Sequence, residues 1–172
     1  KTETSIYPTE AVSDEPLVLL VEKQADKLPE KADIEGLIEK MTALSWQGIS
    51  SVTGAIDCSL SAQCTHINKM FITPNRYLRQ SYVYAEGSMA LIAMGGAEGE
   101  EEPKFAYEGI SGLGGMELFE EFDQKLGDLI KQAKDLQSST RIEPGEYDII
   151  TDPGITGLIA HEAFGHGVEM DM

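Results

Sequence analysis

Histidine is scarce in this chain, with three in 172 residues, yet His161 and His166 fall within six positions and flank Glu162. Those residue types suit a zinc-dependent hydrolase. Neutral imidazoles hold the metal, and a neighbouring carboxylate takes a proton from the water that the metal activates. His161 and His166 are therefore the candidate metal ligands and Glu162 the candidate general base. The plainer alternative is a group of ordinary polar residues near a helix end, with Glu162 solvated.

The spacing makes a structural demand. In the common H-E-x-x-H motif the histidines stand at i and i+4, nearly on one helical face. Here three residues separate Glu162 from His166, which puts the histidines at i and i+5. On a regular α-helix such positions lie roughly 140° apart, so both rings could not reach one ion. A π-type turn brings i and i+5 together, and such turns favour functional sites. The sequence thus predicts a distortion between Ala163 and His166. Gly165 is expected to permit it by leaving α geometry, so that Gly165→Ala should disturb metal binding more than stability. Glu169 and Asp171 are candidates to support the imidazoles from behind, or are simply solvated carboxylates at the helix end.

The elements that must position this group can be read from the rest of the chain. Asp152-Pro153-Gly154 launches the motif helix, with Asp152 as cap and Pro153 at the first helical position. Residues 146–151 read as a short strand before it. Residues 116–137 form the strongest helical pattern, with Leu118, Phe119, Phe122, Leu126, Leu129, Ile130, Ala133 and Leu136 on one face. A second helix is expected over 33–45, with Trp46 packed at its end and Gly48 stopping it. Between them the pattern is strand-like, and strands are expected at 49–58, 63–73 and 78–94, the last two joined by Thr73-Pro74-Asn75-Arg76. Residues 17–22 are a short strand or a helical turn, 95–103 an acidic solvated tip, 104–109 a returning strand, and the glycine-rich 109–115 a flexible connection. His66 reads as a strand surface residue rather than a ligand. The fold class is α+β: a mostly antiparallel sheet packed with two long helices and ending in the motif helix.

Composition narrows the function. One domain is the natural reading of residues 1–172. Thirteen basic residues against 30 acidic ones give a net charge of −17, which repels phosphate backbones and argues against direct nucleic-acid binding. The apolar run from Leu17 to Val21 is too short for a signal core or a membrane span, so a cytoplasmic address without membrane contact is expected. Cys58 and Cys64 then read as free thiols.

The stretch Asp152-Pro153-Gly154-Ile155-Thr156-Gly157-Leu158-Ile159-Ala160, followed by His161-Glu162-Ala163-Phe164-Gly165-His166-Gly167-Val168-Glu169, resembles the signature of the TldD/PmbA metalloprotease family. TldD-type members carry H-E-x-x-x-H after a D-P-G-x-x-G turn. The similarity extends back to about Leu60, more weakly in pattern than in motif. It implies a Zn2+ peptidase acting on unfolded or flexible peptides, held as an added strand on a sheet edge. It also implies a TldD/PmbA-type partner subunit or a homodimer. Catalytic zinc usually takes three protein ligands, and two are visible here. The resemblance implies that the third is a cysteine in a C-terminal domain, so 1–172 is expected to be the N-terminal part of a longer protein, cut within or just after the motif helix. The family has carried the label modulator of DNA gyrase, but no residue here supports contact with DNA. The competing reading is a non-catalytic domain that binds peptide or assembles with a subunit.

Overall fold

A computed structural model describes residues 14–97, 99–140 and 142–169. The chain divides into two compact units, residues 1–140 and 141–172.

The first unit is a four-stranded sheet with two helices on one face. Its strands are β1 (Leu17–Glu22), β2 (Ala55–Ile72), β3 (Arg76–Gly95) and β4 (Glu102–Leu113). β3 is the spine. β2 pairs antiparallel along one side of it, from Ala55↔Ala93 to Ile72↔Tyr77. Its other side is shared: β4 pairs antiparallel from Tyr84↔Leu113 to Gly95↔Glu102, and β1 pairs parallel from Leu17↔Arg76 to Glu22↔Ser81. The class is α+β, as the sequence predicts.

The strands differ from expectation in extent. β2 is one continuous strand of 18 residues, not two. Ser59 and Ser61 look like turn residues in the sequence, but they alternate with Leu60 and Ala62 at period two and sit opposite Ala90 and Ser88. The 73–76 turn forms as expected, closed by Thr73, whose hydroxyl accepts the Arg76 N–H at 2.9 Å. The glycine-rich stretch is not a flexible connection. Gly109 and Gly112 lie within β4, and a Cβ on Gly115 would overlap the Lys27 carbonyl oxygen. Gly115 is glycine because the backbone passes so close there.

The core lies between one sheet face and the helices. Val83, Ala85, Met89, Leu91 and Ala93 of β3 point into it, with Ala106 and Ile110 of β4. Helix α1 (Ile34–Ser51) begins at Asp33, whose carboxylate accepts the Gly36 N–H at 3.0 Å. It runs past Gly48, which does not stop it. Gly48 is buried, and a Cβ there would stand 2.5 Å from the Cys58 sulfur. The glycine lets helix and sheet approach. Trp46 does not pack at the helix end; it points outward and is 67% exposed.

Helix α2 (Phe122–Gln137) buries Phe122, Leu126, Leu129 and Ala133. The residues expected to be its first turns, Met116–Glu121, are instead a tighter 3-10 segment. Glu117 there accepts backbone N–H bonds from Gly115, Lys27 and Asp26 at 2.7, 2.9 and 3.2 Å, tying this turn to the chain that leads into α1.

In the second unit the expected strand at 146–151 does not form. Tyr147, Ile149 and Ile150 are exposed, and among the described residues no strand pairs with this segment. Helix α3 (Pro153–Ala160) follows.

Candidate metal centre

The motif helix starts as its sequence dictates. Asp152 is the cap, its side chain accepting the Ile155 N–H at 2.8 Å, and Pro153 occupies the first turn, where its missing N–H costs nothing. The hydroxyls of Thr151 and Thr156 meet at 2.6 Å across that turn.

Regular α geometry then gives way. His161–Gly165 is a π-helical segment, and the His166 N–H bonds to the His161 carbonyl five residues earlier. This is the wider turn that the i, i+5 spacing demands. It places the two imidazoles together, with ring centroids 4.7 Å apart and planes at 78°. Donor atoms of His161, Glu162 and His166 all lie within 4.8 Å of one another. Two imidazole nitrogens of the kind that bind zinc thus stand together with one carboxylate beside them.

The turn does not depend on glycine strain. Gly165 has φ −55° and ψ −55°, ordinary right-handed values open to alanine. A Cβ there would meet only the His161 Nδ1, at 3.7 Å. The expected role of Gly165 is thus corrected: the π-turn is made by backbone hydrogen bonding, not by a conformation that excludes side chains.

The two nitrogens of His166 face different partners. Nδ1 lies 2.9 Å from a Glu169 carboxylate oxygen, and Nε2 lies 3.8 Å from Glu162. A carboxylate on Nδ1 fixes the tautomer with Nε2 unprotonated, the form that can bind metal on the Glu162 side. Asp171 lies outside the described residues.

The remaining candidate donors belong to the first unit. His66 sits on β2, with Nδ1 bonded to Glu30 and Nε2 3.2 Å from the Ser81 hydroxyl. Glu30 is held below the usual carboxylate range by its own backbone N–H and by His66. Cys58 is buried and Cys64 half-buried, both as free thiols. Burial pushes both pKa values up, with nearby carboxylates adding to it, which leaves them protonated at neutral pH. Among the described residues, no helix is long and apolar enough to cross a membrane.

Over 125 residues, 72% of this chain and 27% of the relative, the sequence is 30% identical to a protein of Methanothermobacter thermautotrophicus named Metalloprotease. Over 59 residues, 34% of this chain and 14% of the relative, it is 32% identical to a protein of the same name from Archaeoglobus fulgidus. The chain thus spans only about a quarter or less of the length of these relatives. No family model matches it, and no solved structure does. The chain is related to metalloprotease-like proteins.

Proposed function

We propose that the protein is a zinc-dependent metallopeptidase of the TldD type that hydrolyses unfolded or flexible peptides. The observation that carries this reading is the π-turn that brings His161, Glu162 and His166 to one point. His161 and His166 would hold the ion, and zinc bound there would supply Lewis acidity toward a water and a peptide carbonyl. Glu162 takes the proton from the attacking water and passes it to the leaving amine. Glu169 holds the His166 ring in place through Nδ1. Two histidines leave the ligand set one short of the usual three, and the family resemblance supplies a cysteine from a C-terminal domain. In the same reading the complete protein pairs with a TldD/PmbA-type subunit or with a second copy.

The second reading, a domain that binds peptide without cleaving it, draws on the outer edge of β2. Among the described residues nothing pairs with that edge along Ala55–Ile72, and an extended peptide could add to it as a strand.

The test uses the complete protein and an unstructured peptide. Chelation should abolish cleavage and zinc should restore it. Glu162→Gln should retain zinc and lose cleavage by about a hundredfold or more, because it removes the base and not a ligand. Cleavage that survives both treatments would refute the enzyme reading. Loss of zinc in Glu162→Gln would make Glu162 a ligand instead.

A further inference from the structure

Among the described residues of the first unit no element packs on the sheet face turned away from the helices, and its chemistry is not that of a plain solvated surface. Even-numbered residues of β3 point to it, and those from Tyr84 to Ile92 align with partners on both β2 and β4. Glu86 sits between Gln63 and Ser111, and Ser88 between Ser61 and Gly109. Ser61 and Ser88 bond through their hydroxyls at 2.7 Å. Gly109 adds no side chain beside them. The result is a polar depression of about 680 Å³. Tyr84 and Tyr107 line it, 37% and 61% exposed.

Glu86 is the charge in this depression, and it has no hydrogen bond or ion pair with any described residue. Register puts two basic side chains on the same face, Lys69 and Arg76, both toward the β2–β3 turn and both occupied. Lys69 Nζ lies 5.4 Å from the centre of the Tyr82 ring, and Arg76 bonds the Glu15 carbonyl at 3.0 Å. An unpaired carboxylate, two exposed phenol rings, and amide and hydroxyl groups at the base suit a cationic side chain. The carboxylate takes its charge, the rings take its face or its stem, and Gln63 and Ser111 take its remaining hydrogen bonds. The net charge of −17 draws such a partner in at long range.

We infer that this depression is a binding site for an arginine or lysine side chain presented by another polypeptide. The site lies wholly on the sheet of the first unit, and the inference does not depend on peptidase activity.

The test is a titration of the isotope-labelled 172-residue chain with acetyl-arginine methylamide, followed by amide chemical shifts. Acetyl-citrulline methylamide, of the same shape without the charge, is the control. The expected result is a set of shifts clustered at Gln63, Glu86, Ser88 and Ser111 with the arginine compound and absent with citrulline. Glu86→Gln should weaken binding by about fivefold or more while leaving the rest of the spectrum in place. Shifts spread over the whole acidic surface, equal binding of citrulline, or unchanged binding in Glu86→Gln would each overturn the assignment. A short peptide with one central arginine, compared with its citrulline form, repeats the test in a polypeptide.

Discussion

Replacing Gly48 by alanine tests the packing that holds α1 against the sheet. In an exposed helix interior the change would stabilise by about 1 kcal/mol, since alanine is the better helix former. Here the new Cβ would stand 2.5 Å from the Cys58 sulfur and 3.2 Å from its Cβ, with Leu126 in ordinary contact at 3.5 Å. Cys58 is 2% exposed and lies on β2 beneath the helices, so its side chain has no free space to swing into. The Ser45 hydroxyl also bonds the Cys58 carbonyl at 2.6 Å, holding helix and strand at this spacing. Overpacking of this kind costs about 1–3 kcal/mol, and the upper half of that range applies where a buried atom must move by about an ångström. The net expectation is a loss of about 1–2 kcal/mol. Cys58→Ala alone should cost about 1 kcal/mol through lost burial. Combined, the two changes should be less harmful than their sum by about 1–2 kcal/mol, because the new methyl occupies the room the sulfur leaves. Urea unfolding of the four proteins measures this directly. Gly48→Ala that is as stable as the parent, with no coupling to Cys58→Ala, would refute the close approach and favour a helix that ends at Gly48.

Gly165→Ala should change zinc affinity of the complete protein by less than about threefold, since its backbone is right-handed and its Cβ meets only an ordinary contact; calorimetric titration checks it. Burial opposes ionisation of Glu117, but the N–H groups of Gly115, Lys27 and Asp26 together outweigh it and hold its pKa below the usual value. The unfolded chain therefore takes up this proton first, so the contribution is present above about pH 4.3 and is lost as pH falls through the folded value. Urea midpoints of Glu117→Gln should drop less than those of the parent on acidification. Glu169→Ala removes the partner of His166 Nδ1 and should weaken zinc binding by about tenfold or more, with the fold intact by circular dichroism.

The backbone of the candidate site was legible because its spacing left little choice. An i, i+5 pair of histidines cannot share an ion on a regular helix, and the π-turn is the local answer. The Asp152 cap and Pro153 start were equally plain. The reason offered for the turn was not legible: glycine before His166 suggested a special conformation, and only the dihedral angles show an ordinary one. Gly48 misled in the opposite way. Sequence marks a glycine as a helix stop, whereas its close neighbour, Cys58, is a residue on another element that no local pattern reveals. Period two in β2 was hidden by Ser59 and Ser61, whose turn character yields once β3 offers a full ladder. At 146–151 the apolar residues were legible and the strand was not formed, because a strand exists only with a partner. The depression at Glu86 needs the register of three strands, which sequence alone does not provide.

The most direct measurement of the central claim is the anomalous diffraction signal at the zinc edge from crystals of the complete protein grown with zinc. One peak is expected, at about 2.0–2.2 Å from a nitrogen of each of His161 and His166. On His166 that nitrogen should be Nε2, with Nδ1 still on Glu169 and the His166 N–H still on the His161 carbonyl. A peak elsewhere, or a regular α-helix through His166 with the two rings turned apart, would contradict it.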